Sequence, residues 1–161
     1  MYIVHCQIVN EIMVIKLRRY YGDEQVTKSV MEVFLEDEEK PRLKCEAREA
    51  RFREYRETFP GASRYCLPVG RWRLKPGCSE FGTMTLRVTR CPGHRCVLLG
   101  WDAFRQWREG MVCMGVAVNQ EAPAEERLIE GGMEVYGRLE RLVYEAFGKG
   151  EEMWVEISNE R

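Results

Sequence analysis

The sequence predicts an α+β fold, a mostly antiparallel, barrel-like β-sheet with one long C-terminal helix and a closing strand. Three observations support it. Apolar or alternating runs of strand length recur up to residue 118, apolar residues at helical steps follow Pro123, and residues 152–157 alternate again. With 161 residues, of which 45% are hydrophobic, the chain has the size of one compact domain, and we expect residues 1–161 to form a single domain.

A hairpin is predicted near the start of the chain. Residues 12–17 are typical of a buried strand, residues 20–25 of a turn around Gly22-Asp23, and residues 26–35 of a second strand. We expect residues 1–12 to be an N-terminal extension of a β core that spans residues 13–118.

The next segment contains a third strand and an ambiguous run. Residues 42–46 favour a strand. Residues 47–57 interleave Arg and Glu among good helix formers and carry few large apolar side chains, so we expect an exposed helix or a surface loop there.

Two alternating runs predict strands with one polar face. In residues 71–75, Trp72 and Leu74 point one way and three basic side chains point the other way. Residues 83–89 alternate more cleanly, with Met84, Leu86 and Val88 pointing inward. An apolar run at 95–99 and another at 111–118, which contains Cys113, complete the predicted core.

One long amphipathic helix is predicted over residues 121–148. Pro123 and two glutamates stand at its start, and Gly148 ends it. Gly131-Gly132 weakens the pattern, so the helix either begins late or bends there. Residues 152–157 then predict the final strand.

The cysteines and the N-terminus indicate the compartment. Seven cysteines at irregular spacing predict reduced thiols rather than a disulfide framework. Apolar runs stay well short of the roughly 18 residues of a membrane span, and the N-terminus lacks signal-peptide features. We therefore expect a soluble, cytoplasmic protein with no membrane span.

Charge is distributed unevenly, although the net charge is −1. Residues 42–95 hold thirteen Lys and Arg against five Glu, a balance of +8, and residues 121–161 hold eleven Glu against five basic residues, a balance of −6. Either the two parts pack against each other, or the middle of the chain attracts an anionic partner.

Several short motifs carry a family resemblance. Leu67-Pro68-Val69-Gly70 precedes a strand, Pro92-Gly93-His94 precedes an apolar strand, and Val112-Cys113-Met114-Gly115 comes late in the β core. Cys45-Glu46-Ala47-Arg48-Glu49 stands earlier. In their order these motifs resemble the YkuD-type L,D-transpeptidase domain and its uncharacterised relatives in bacteroidete and phage genomes.

The resemblance implies a function and also its loss. In active transpeptidases a cysteine thiolate attacks a peptidoglycan stem peptide, and a histidine on the preceding strand assists. Here Leu98 or Leu99 stands where the histidine is expected, and loss of a general base costs orders of magnitude in rate. We therefore expect a non-catalytic binding or structural component without a cofactor, with peptidoglycan or a protein as partner.

Three alternatives use the same part of the chain. Cys113 with His94 as its base would make an active cysteine peptidase or transpeptidase. Cys91, His94, Cys96 and Cys113 could hold a metal, but their spacing is not a common zinc frame, and we expect no metal site. A nucleic-acid or polyanion-binding surface is the third alternative, and its expected residues are Arg71, Arg73, Arg87, Trp101 and Trp107.

Overall fold

The structure, a computed structural model, describes residues 12–35, 38–51, 66–78, 84–91, 99–101 and 112–160, with residues 99–101 described by their backbone. This part of the chain contains nine strands and one helix. They are β1 (Ile12–Gly22), β2 (Val26–Leu35), β3 (Leu43–Ala50), β4 (Gly70–Cys78), β5 (Met84–Thr89), β6 (Leu99–Trp101), β7 (Val112–Ala117), β8 (Ile129–Glu130), α1 (Gly132–Gly148) and β9 (Glu152–Asn159).

The strands form one sheet in the order β5-β4-β9-β1-β2-β3-β7-β6, and β8 pairs with β7. Neighbours are antiparallel except in the pairs β1–β9 and β6–β7, which are parallel. The strands at the two ends of this order, β5 and β6, contact each other, so the sheet curls strongly, and α1 packs against β3, β6, β7 and β9. The predicted α+β class and the mostly antiparallel sheet are confirmed.

The predicted hairpin is present and longer than expected. β1 continues to Gly22, and β2 covers the predicted residues 26–35. Asp23 fixes the turn because its carboxylate accepts hydrogen bonds from the backbone N–H groups of Gln25 at 2.7 Å and Val26 at 2.9 Å. Burial raises the pKa of Asp23, but these hydrogen bonds, the hydroxyl of Tyr21 and the charge of Lys28 together outweigh it and the net shift is downward.

Alternation along each strand places the apolar core on the concave face. Met13, Ile15 and Leu17 of β1 are fully buried, and the predicted inward residues of β5, Met84, Leu86 and Val88, are buried as well. The buried face of α1 carries Val135, Tyr136, Leu139, Val143 and Ala146, which lie at three- and four-residue steps. One side of the helix therefore packs against the concave face of the sheet.

The prediction of an exposed helix or a surface loop is wrong for residues 47–50. They belong to β3 and are buried, not an exposed helix or a loop, and the rest of the 47–57 run, beyond Arg51, lies outside the described residues. Ala47 faces the core and Glu49 meets Arg19 inside the sheet. Tertiary burial and a buried ion pair outweigh the local helix propensity of this segment.

The helix begins at Gly132 and not at residue 121. Gly131 has φ 71°, a left-handed conformation that suits glycine and precedes the first helical turn. Residues 124–126 form a short 3-10 turn instead, and the Nζ of Lys28 donates to the carbonyls of Ala124, Glu125 and Arg127 at 2.8–3.1 Å. These bonds tie the segment to the convex face. The closing strand β9 confirms the strand predicted at 152–157.

A candidate anion-binding site on the outer face of the sheet

The site begins with the alternation of β4. Leu74 is buried on the concave face, and Arg71, Arg73 and Lys75 are exposed on the convex face. β4 lies between β5 and β9, and its pairing with β9 extends from Gly70 to Leu74. Pro76 follows beyond that pairing, where its missing N–H costs no ladder hydrogen bond to β9.

The neighbouring strands add to the basic face. On β5, Arg87 lies directly opposite Lys75 and Thr89 directly opposite Arg73. Arg90 follows the end of β5 with φ 58°, a left-handed conformation that is uncommon for a residue with a side chain. Trp154 of β9 lies opposite Arg73 on the other side.

Most of these side chains, but not that of Arg87, line one open cleft of about 450 Å³, which we call the basic cleft. Its walls are Arg71, Trp72, Arg73, Lys75, Thr89, Arg90 and Trp154. The guanidinium carbon of Arg71 lies 4.7 Å from the centre of a Trp154 ring, and that of Arg73 lies 5.9 Å away. The cleft therefore combines cations with an aromatic ring, and its volume is that of a small-molecule pocket.

The electrostatic balance of the cleft is positive. Arg71 pairs with Glu156 at 3.8 Å and Arg73 with Glu152 at 3.4 Å. Both pairs are half exposed, and exposed pairs of this kind are weak and are readily exchanged for an incoming anion. Within the described chain, Lys75, Arg87 and Arg90 make no ion pair. Three cations are thus available to an anionic ligand.

The motif at residues 67–70 supports the cleft. The indole N–H of Trp72 donates to the carbonyl of Pro68 at 2.9 Å, and Trp72 packs against the core as its alternation predicted. Gly70 has φ 146°, and a Cβ there would lie 3.3 Å from the Trp72 ring. The turn at residues 67–70 therefore holds the Trp72 side chain in place. Trp72 in turn holds the start of β4, which carries Arg71 and Arg73.

The convex face continues beyond the cleft across the central strands. Trp154 lies opposite Val14 of β1, and Val14 lies opposite Phe34 of β2, so the three form one cross-strand row. The Nζ of Lys16 lies 4.9 Å from the centre of the Phe34 ring. Beside this row runs a second one of alternating charge, which consists of Arg71, Glu156, Lys16, Glu32 and Lys44.

Three of the predicted ligand-binding residues lie on one surface. Arg71, Arg73 and Arg87 all project from the convex face of adjacent strands. The backbone of Trp101 belongs to β6, and its side chain lies outside the description, as do Trp107 and His94. Trp154 was not among the predicted residues, although the alternation of residues 152–157 already placed it opposite the apolar side chains of its strand.

Cys113 lies in β7 and is fully buried. It is directly opposite Arg48 of β3, whose guanidinium donates to the carbonyl of Arg127 at 3.1 Å. Arg127 belongs to residues 118–130, which we call the covering segment. Gly115, two residues on, meets the same segment, because a Cβ there would lie 2.9 Å from the carbonyl oxygen of Glu130. The thiol therefore lies on the same side of the sheet as residues 118–130, and it has no exposed surface.

A buried polar cluster inside the sheet was also not predicted. The guanidinium of Arg19 donates twice to the carboxylate of Glu49, at 3.0 and 2.9 Å, and once to the carbonyl of Leu67. Burial first, and then the Glu49 carboxylate, raises the pKa of the nearby Cys66 thiol to about 11. A protonated thiol is a poor nucleophile, so the cluster has the character of a structural ion pair.

A second groove, of about 460 Å³, lies over β3 and β7 and is lined partly by Lys44, Glu46, Gln120 and Arg127. Its carboxylate, Glu46, already accepts the hydroxyl of Tyr20 at 3.0 Å on both oxygens. It also lies 3.6 Å from Arg48. The carboxylate of this groove is therefore already engaged by Tyr20 and Arg48.

The described residues define an α+β protein with a curled, mostly antiparallel sheet and a basic, aromatic cleft on its convex face. Within them, three or more His, Cys, Asp or Glu side chains nowhere gather closely enough to hold a metal ion, and α1 is too short and too polar to cross a membrane. Comparison with protein-family models, with curated proteins and with solved structures finds no match.

Proposed function

We propose that this chain is a non-catalytic binding protein whose ligand is an anionic polymer held on the convex face of β4, β5 and β9. The observation that carries the proposal is the basic cleft together with Arg87, which lies opposite Lys75: Lys75, Arg87 and Arg90 have no carboxylate partner among the described residues. Clustered cations attract polyanions by releasing the counterions of the polymer, so they bind without reading its sequence.

The burial of Cys113 supports a role without catalysis. A cysteine nucleophile needs a thiolate that substrate can reach, and this thiol has no exposed surface. The peptidoglycan association implied by the resemblance to YkuD-type domains stays a prediction. So does an active cysteine enzyme, which would require the residues that bury Cys113 to move away from it.

Heparin binding at several salt concentrations tests the proposal. We expect Lys75→Ala/Arg87→Ala to weaken heparin binding by roughly five- to tenfold at low salt and to flatten the salt dependence, because two contacts with the polymer are lost. Arg141→Ala/Lys149→Ala, on the exposed side of α1, is the matched control, since it removes the same charge and should leave affinity unchanged. Equal losses in both double variants, or no binding by the wild-type protein, would contradict the proposal.

A further inference from the structure

The row of apolar side chains on the convex face indicates which polyanion fits the site, and this inference rests on the proposed function. Trp154 and Phe34 belong to strands separated by β1 alone, and Val14 lies between them. Neighbouring strands are about 4.8 Å apart, so the two rings stand roughly 10 Å from each other on one surface. Both side chains remain partly exposed on the face that carries the basic cleft.

Each of the two rings has a cation over it. Arg71 covers Trp154 at 4.7 Å and Lys16 covers Phe34 at 4.9 Å. Aromatic rings and guanidinium planes are the groups on which proteins stack unpaired nucleic-acid bases, and rings on the face of a sheet serve this purpose in RNA-binding domains. A polyphosphate has no ring that would stack on them.

The cations of β4 and β5 are placed for phosphates. Arg71, Arg73 and Lys75 repeat along β4 at intervals of about 6.6 Å, since alternate residues of a strand share a face. Lys75 and Arg87 lie directly opposite each other, and like charges in that position destabilise a sheet. A phosphate between Lys75 and Arg87 would remove the repulsion.

We propose that the convex face binds single-stranded nucleic acid. Its phosphates lie along the cations of β4 and β5, and two of its bases displace the Arg71 and Lys16 side chains from the rings of Trp154 and Phe34 and stack there in their place. In a duplex the bases stack on each other and offer no free faces, so a double strand can use the cations but not the rings.

Fluorescence anisotropy with a labelled single-stranded oligonucleotide, the matching duplex and heparin tests this inference. We expect the single strand to bind at least tenfold more tightly than the duplex. Trp154→Ala and Phe34→Ala should each lower single-strand affinity by about tenfold, which is typical of a lost stacked base, and should change heparin affinity less than twofold. Tyr144→Ala, which removes an exposed aromatic ring from α1, is the matched control and should change neither.

A second readout does not depend on removing an aromatic ring. Oligonucleotide should quench the tryptophan fluorescence of the wild-type protein, and Trp154→Phe should lose most of the quenching while it retains binding within threefold. Equal affinity for single strand and duplex, or unchanged affinity in both alanine variants, would overturn the inference. Heparin binding without oligonucleotide binding would overturn it and leave the proposed function standing, whereas failure of both ligands would overturn both.

Discussion

At the scale of single residues, the Arg19–Glu49 pair is a buried ion pair in the core. Both side chains are almost fully buried on the concave face, and the carboxylate also lies 3.4 Å from the hydroxyl of Ser29. Within the described structure the Nη1 atom of Arg19 makes no hydrogen bond. The two charges can be buried in the core because each neutralises the other. Removal of one partner therefore leaves an uncompensated charge there.

We predict that Arg19→Met destabilises the fold by about 3–5 kcal/mol, because Glu49 is left buried and unpaired. Urea unfolding measures the change. Arg42→Met is the matched control, since Arg42 pairs with Glu38 at 2.8 Å on the surface and the expected loss is below about 1 kcal/mol. The double variant Arg19→Met/Glu49→Leu should recover most of the loss. A double variant as unstable as Arg19→Met would show that the pair is not the cause.

Residue patterns also show how much of the candidate site could be predicted from the sequence. The exposure of Arg71, Arg73 and Arg87 follows from alternation along two strands joined by a short connection, which is local information. The placement of Trp154 beside Arg73 does not follow from local information, because it depends on β9 entering the sheet between β1 and β4. Pairing between the two ends of a chain leaves no local pattern that would predict it.

At the scale of elements, the structure of the segment between β7 and α1 likewise could not be predicted from local sequence. Its glutamates and Pro123 resemble a helix start, yet residues 124–126 form only a single 3-10 turn. Lys28 and Arg48, which are distant in sequence, bind its carbonyls and hold it against the sheet. Contacts of this kind outweigh helix propensity, and the two glycines at 131–132 then mark where the helix can begin.

We predict that Lys28→Met loosens this covering segment. The three carbonyls that Lys28 binds lose a charged donor, and hydrogen bonds to charged groups contribute about 1.5–3 kcal/mol each in favourable cases. Amide hydrogen exchange at residues 124–130 should rise at least tenfold, and exchange in β1 should change much less. Lys44→Met, an exposed lysine of β3, is the control. Uniform acceleration across the sheet would show global destabilisation and contradict a local tether.

At the scale of the whole molecule, buried thiols link stability to alkaline pH. Burial raises the pKa of Cys45 and of Cys91 from an ordinary value of 9.0 to about 12, and burial together with Glu49 raises that of Cys66 to about 11. In the unfolded chain these thiols ionise near pH 9, and in the folded protein they keep their protons. Between about pH 9 and 11 the folded state therefore binds more protons than the unfolded state.

The free energy of unfolding should consequently fall as pH rises through this window, by at most about 1.4 kcal/mol per pH unit for each thiol. Urea unfolding between pH 8 and 10.5 under reducing conditions measures the slope. Cys45→Ala should be less stable at pH 8 because of the cavity, but its slope should be shallower by one thiol. The lowered pKa of Lys28 acts in the opposite direction below its ordinary value of 10.5, and since it is common to both proteins it cancels in the comparison. Parallel pH dependences would contradict a buried, protonated Cys45, and a steeper wild-type slope would show that burial of this thiol contributes to the loss of stability at alkaline pH.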